Sequence, residues 1–311
     1  MAVADLRLGT VDRLDDRTRT AAALLLDQAI GAIARDIASV AARRLPDAAL
    51  LQVDVSARLD AARLSREPGL VAEAIAQSRA AQIDAALLAS RPPSETPTLL
   101  SRLLEAGDRV VRARATAYLV SDNRRRQGGA ELPEEWHRRV AWWTAAALRE
   151  HIGAIADRAL ADGVARSLAA RREGGDALAA AAQLAVAIDA PVSERPHLLL
   201  DALGEGRTDL FAALLAHALA IDPAEVRAIV IDPDGELLWL ALRAAGLSRE
   251  DIARIGWALC AADPARDVEQ LPDEVDAVGA VTPDAARDAL AMLSLPAEYR
   301  AAILALDGAA A

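Results

Sequence analysis

The side chains able to do chemistry are few and scattered. Four histidines stand apart, His137, His151, His197 and His217. None sits three or four residues from another, the spacing that puts two metal ligands on one helix face, and no HExxH occurs. Cys260 is the single cysteine, which excludes an internal disulfide, a Cys-based zinc site and a CxxC pair. Inside an apolar helix it reads as a small buried hydrophobe. All 35 basic residues are Arg. Without Lys there is no Walker A loop, no kinase-type strand Lys and no Schiff-base amine. Gly204-Glu205-Gly206 is a lone GxG without a preceding strand and reads as a turn. Asp232-Pro233-Asp234-Gly235 has the outline of a calcium loop, but its proline and missing later ligands fit a helix start. No GxSxG elbow is present, and the many carboxylates read as solvated helix faces. No catalytic residue, metal ligand or cofactor is assigned, and a non-catalytic protein is expected.

Three features could instead serve binding or signalling. Arg109, Arg112, Arg114, Arg124, Arg125 and Arg126 crowd one helix, opposed locally by Asp108 and Asp122 alone, and Arg138 and Arg139 follow in the next. Val111, Ala115, Tyr118 and Leu119 give that helix a buried face, so much of the Arg row should point outward. Arg clamps carboxylates bidentately and stacks on aromatic rings, which suggests an acidic protein partner; the competing reading is Arg paired to acids of neighbouring helices. Trp136, Trp142 and Trp143 fall within eight residues. They and Trp239 and Trp257 read first as anchors filling gaps between Ala-rich helices, and second as anchors of a partner groove, in which role Trp136 and Trp142 join the Arg row. His151, in LREHIGAIADRAL, sits on a long helix as a phosphotransfer histidine would. The surface or capping reading competes with it.

The elements that must position these groups are helices. Apolar residues make up 53% of the chain and aromatics 3%. That leaves Ala, Leu, Val and Ile as the core, and Ala and Leu are strong helix formers. Apolar positions recur at three, four and seven from Leu24 to Leu45, from Leu50 to Leu64, and onward from Pro68. Arg91–Pro97 is a proline-broken loop. Thr98–Leu104 is a short helix, and Asp108 caps the next, which runs to about Gln127 before Gly128 and Gly129. Pro133 opens a helix that is expected to pass Gly153 and Gly163 with a bend and reach Arg172. The low-charge stretch 177–188 is too short to span a bilayer, and the charged first residues do not read as a signal peptide, so a cytoplasmic protein without a membrane span is expected.

Charge divides the chain. Residues 1–172 hold 26 Arg against 22 acids, net +4, whereas 173–311 hold 9 against 24, net −15. Gly174 and Gly175 mark the change, so an N-terminal helical region, 1–172, and an acidic helical-repeat region, 173–311, are expected as two sub-domains. In the second, Phe211, Leu214, Ile221, Asp222, Val226 and Ile229 recur 26 residues later as Leu237, Leu240, Leu247, Ser248, Ile252 and Ile255. Each copy reads as helix, turn, polar cap, helix, a unit that must stack on neighbours to bury its apolar face. The expected fold is all-α, with antiparallel helix pairs stacked as a HEAT-like array.

The stretch LPEEWHRRVAWWTAAALRE (132–150), with the preceding SDNRRRQ (121–127), resembles a signature of DUF2336, an uncharacterised alphaproteobacterial family. IDPAEVRAIVIDPDGELLWLALRAAGLSREDIARI (221–255) is similar to that family's C-terminal part. The resemblance covers roughly residues 40–300 and implies a helical, HEAT-like bacterial protein; it names no activity and carries over no functional residues. The expected role is a scaffold or adaptor that binds another protein with an acidic surface. The acidic half of a second copy is one such surface, which would give a homodimer. Nucleic acid is not expected, for want of a reader motif. Phosphotransfer through His151, or an apolar small ligand held among the tryptophans, are the alternatives.

Overall fold

The computed structural model describes residues 15–44, 54–91, 97–127 and 131–309. Among them every regular element is a helix. The helices are α1 (Asp16–Ala42), α2 (Val55–Ala61), α3 (Pro68–Ser90), α4 (Leu99–Leu104), α5 (Arg109–Arg126), α6 (Glu134–Ile152), α7 (Asp157–Gly174) and α8 (Ala177–Ile188). They continue as α9 (Arg195–Gly204), α10 (Thr208–Leu219), α11 (Pro223–Ile231), α12 (Glu236–Ala244), α13 (Arg249–Ala262), α14 (Leu271–Gly279), α15 (Pro283–Ala289) and α16 (Ala297–Ala309). Among the described residues no helix is long and apolar enough to cross a membrane. The expected stops at Pro46 and at Gly128–Gly129, the start of the second pattern at Leu50, and most of the proline loop lie outside the described residues.

The starts follow local chemistry. Asp15, Asp54, Thr98, Asp222, Ser248 and Thr282 each accept a backbone N–H of the first turn that follows, meeting donors that have no partner inside the helix. Asp108 does the same for α5, accepting from Val110 N at 2.6 Å. The expected single helix from Pro133 to Arg172 is corrected: it is two. α6 stops at Ile152, Gly153 turns the chain at φ 87°, and a 3₁₀ turn (Ala154–Ala156) leads into α7. Arg149 then reaches over the break to Asp157 at 2.6 Å, holding the corner.

The chain forms two units, each discontinuous in sequence: Met1–Arg79 with Ser121–Asp176, and Ala80–Val120 with Ala177–Ala311. The division falls within α3 and α5, and the second unit takes 80–120 from the N-terminal half. In the first unit α1, α6 and α7 pack on one another, and α2 lies against α1 and α6. Ile30, Ile33, Ile37, Val140, Leu148, Leu160 and Val164 form the centre of its core. Gly163 is where α7 meets α1 most closely: a Cβ there would stand 2.9 Å from the Ile37 carbonyl oxygen.

The second unit is built around α10, which is buried from Thr208 through Ala216. A helix apolar on all sides must be surrounded, and α8, α9 and α11 pack on it. Each fully buried Leu contributes roughly 1.5–3 kcal/mol, so Leu210 and Leu215, both fully buried, make α10 the anchor of this unit. α12 lies against α14 and α15, and α13 against α9 and α14. The 26-residue correspondence holds best in the second helix of each copy. Ile221 and Leu247, Val226 and Ile252, and Ile229 and Ile255 are all buried. It fails at the first: Phe211 is buried in α10, whereas Leu237 is exposed in α12.

Candidate partner-binding surface

In the second unit α5 turns Val111, Ala115 and Tyr118 inward, as its sequence predicts. The opposite side is apolar too. Val110 is 59% and Val120 53% exposed, and Ala113 and Ala117 between them also face solvent. Positions 110, 113, 117 and 120 follow the three-then-four spacing of a seam that receives another helix. Arg109, Arg112 and Arg114 frame this seam and are exposed. Arg114 donates to Gln183 Oε1 at 2.6 Å, a neutral partner. Among the described residues Arg109 and Arg112 have no carboxylate within ion-pair distance. The spacing of the seam is legible in the sequence, beside the more conspicuous Arg row and the buried stripe.

The other arginines of the row belong to the first unit and are largely committed. Arg125 and Arg126 both pair with Asp122, at 2.9 and 2.8 Å, and the Asp122 side chain is fully buried. Arg124 pairs with Glu131 at 3.3 Å. Arg139 pairs with Glu67 at 2.5 Å and lies 5.7 Å from the Trp136 ring centroid. Trp136 itself packs against the first core and covers Gly69. Arg138 is exposed.

The reading of the tryptophans as core anchors holds for Trp136 and Trp239 and is corrected for Trp142, Trp143 and Trp257. Trp239 is buried and donates Nε1–H to Glu274 at 2.8 Å. Trp142 is 49% and Trp257 65% exposed, and Trp143 is also exposed. The first core needs no large ring at 142 or 143, because Val140, Ala141, Thr144 and Ala145 already fill the inward side of α6. Cys260 is half-buried rather than buried, and that burial pushes its thiol pKa up.

His151 stands exposed in the last turn of α6. His217 meets Asp189 at 2.9 Å beside a recess between α8, α9 and α10, with about the room of one water molecule. His137 makes a contact that sequence did not reveal: its Nε2 lies 3.0 Å from Ser167 Oγ, joining α6 to α7. Burial first, and the Arg171 guanidinium second, push its pKa down to about 4. Ser167 is buried, so its hydroxyl cannot meet a substrate carbonyl unless α6 and α7 part. The pair is a buried polar link between helices. Among the described residues no three His, Cys, Asp or Glu side chains converge as a metal site.

Gly204-Glu205-Gly206 is a turn, as its sequence suggests, and it ties several elements together. Glu205 accepts from the Leu99 N–H at the start of α4. Arg207 bonds Glu205 at 3.3 Å and lies 5.7 Å from the Tyr118 ring centroid. Gly206 has φ 58°, and a Cβ there would lie 2.4 Å from the Asp84 carbonyl oxygen, so only glycine fits.

A family model described as an uncharacterised protein conserved in bacteria, DUF2336, matches residues 129–291. No curated protein and no solved structure matches the chain. The matched stretch takes in α6 through α15 and leaves out α5 and α16.

Proposed function

We propose that this chain, which belongs to the DUF2336 family of uncharacterised bacterial proteins, is a non-catalytic helical-repeat protein that binds another protein through the outer face of α5. The observation that carries this is the coincidence on one face of a solvent-exposed apolar seam (Val110, Ala113, Ala117, Val120) and the exposed cations Arg109, Arg112 and Arg114. Apolar seams recruit helices by burying area, and flanking charges select the partner and its register. The fitting partner is a helix with an apolar stripe and acidic flanks.

The test is an affinity capture of the tagged chain from its own cells, run beside two variants. Arg109→Glu with Arg112→Glu reverses free charges on the seam; Arg124→Glu reverses a cation already paired with Glu131. A partner held by the wild type and by Arg124→Glu, but lost from the double variant, is expected. Equal recovery from all three would remove the site from α5.

A second reading rests on the exposure of His151. As a phosphotransfer site it would carry acid-labile phosphate after incubation with a phosphorylated response regulator. His151→Ala would lose that label, and an unlabelled wild type rules the reading out.

A further inference from the structure

Helix α16 spans Ala297–Ala309. It packs on the 3₁₀ turn Ala291–Ser294, and Arg300 secures it by donating to the Leu293 and Leu295 carbonyls at 3.0 and 2.9 Å and pairing with Glu225 at 2.6 Å. Beyond that attachment it shows solvent an apolar stripe. Tyr299 is 57% and Leu306 73% exposed, and Ala302 between them is exposed as well. A helix of about three turns is marginal in water without packing, so a stripe of this kind gains from a partner.

We infer that the occupant of the α5 seam is α16 of a second copy of this chain. This inference rests on the reading of α5 as the binding face. Three observations carry it. The spacings agree: Tyr299, Ala302 and Leu306 follow the same three-then-four rhythm as Val110, Ala113 and Ala117. A seven-residue step covers about 10.5 Å in either helix, so both large side chains of α16 come into register with α5 together. The sizes are complementary, because Tyr299 and Leu306 are knobs and Ala113 and Ala117 leave holes. The charges are complementary, because Glu298 flanks the α16 stripe and Arg109, Arg112 and Arg114 flank the seam. The wider field points the same way: residues 80–120 and 177–311 together hold 14 Arg against 26 acids, net −12, so the cationic edge of α5 attracts the rest of that unit in another molecule. Both helices lie outside the family match, which spans residues 129–291. The contact joins two different surfaces, so it either closes by reciprocal exchange or extends head to tail.

The test uses the purified full chain, with molar mass measured by light scattering and sedimentation at roughly 10 to 300 µM and at low and high salt. The expected result is a mass that rises with concentration and falls with salt. One variant carries Arg109→Glu and Arg112→Glu; the other carries Tyr299→Ser and Leu306→Asp. All four positions are exposed, and circular dichroism checks that each variant stays folded. Each variant alone should weaken association by about tenfold or more, as truncation of anchor residues does. An equimolar mixture should recover a two-chain species, because one variant keeps an intact α16 and the other an intact α5. A wild type of single-chain mass throughout, association that survives in either variant, or a mixture that stays monomeric overturns the inference. If the wild type is monomeric yet captures a different protein that Arg109→Glu with Arg112→Glu loses, the binding face stands and the second copy as its occupant fails.

Discussion

The carboxylate of Asp84, in α3, accepts the backbone N–H of Thr208, the first residue of α10, at 2.8 Å. The residue before that helix, Arg207, supplies no side-chain cap, so a side chain 124 residues away does the work. Asp84 is buried, and α10 is the most enclosed helix of its unit. Asp84→Ala should therefore cost about 2 kcal/mol, the upper end for loss of a helix cap. Asp84→Asn keeps an acceptor and should lose about half of that. Urea unfolding of the three proteins measures the difference. An Ala variant as stable as wild type would mean that this cap contributes nothing.

The arginines of α5 should separate into two classes. Asp122 is fully buried between Arg125 and Arg126. Arg125→Glu with Arg126→Glu replaces both cations with anions beside a buried carboxylate and should destabilise by about 3 kcal/mol or more. Arg109→Glu with Arg112→Glu, at exposed positions, should stay within about 0.5 kcal/mol of wild type. Similar melting temperatures for the two double variants would contradict the pairing.

Gly163→Ala sets two effects against each other. Ala is favoured over Gly inside a helix by about 1 kcal/mol. The new Cβ would stand 2.9 Å from the Ile37 carbonyl oxygen and 3.1 Å from its Cγ2, and forced overpacking costs about 1–3 kcal/mol. Because the nearer atom is backbone in a buried helix, the clash should win. The variant should melt below wild type, and Gly163→Val lower still. A raised melting point in Gly163→Ala would show that α1 and α7 separate readily.

Acid should weaken the first unit through His137. Burial holds its pKa at about 4 in the fold against an ordinary value of 6.5. Between these values the unfolded chain holds a proton that the folded chain does not, so falling pH favours unfolding. The contribution is complete above pH 6.5 and is lost as pH falls toward 4. His137→Gln can still bond Ser167 but does not titrate. The stability gap between wild type and this variant, followed by denaturant unfolding from pH 7.5 to 4, should change across that window. A constant gap would place His137 in an ordinary aqueous setting.

Tryptophan fluorescence should report the exposures directly. Trp142, Trp143 and Trp257 face solvent, whereas Trp239 is enclosed. Iodide should quench most of the emission of the wild type. A variant with Trp142→Phe, Trp143→Phe and Trp257→Phe should be blue-shifted and resist quenching. Retained quenching in the triple variant would place Trp136 or Trp239 in water.

Much of the architecture is legible without coordinates, because it is decided within a few residues. Capping by Asp15, Thr98, Asp108, Asp222 and Ser248 acts on backbone N–H groups two or three positions away. The inward stripe of α5, the short helix at Leu99–Leu104 and the register shared by Val226 and Ile252 follow from periodicity and small offsets. The site was legible only in part. The Arg row is visible as a row, yet whether a guanidinium is free depends on which carboxylate lies beside it. For Arg139 that is Glu67, from a different helix. The same holds for His137 with Ser167, Asp84 with Thr208, and Glu205 with the start of α4. The break at Gly153 also needed tertiary information, since its apolar pattern continues on both sides and the corner is held by the Arg149–Asp157 pair. Exposure of Trp142 and Trp143 was decided in the same way: a large ring goes inward only where the opposing helices leave room, and alanine-rich helices at close range leave none. Short-range hydrogen bonding and spacing are properties of the sequence. Pairing, enclosure and free surface are settled by which distant segments arrive, and only the folded chain determines that.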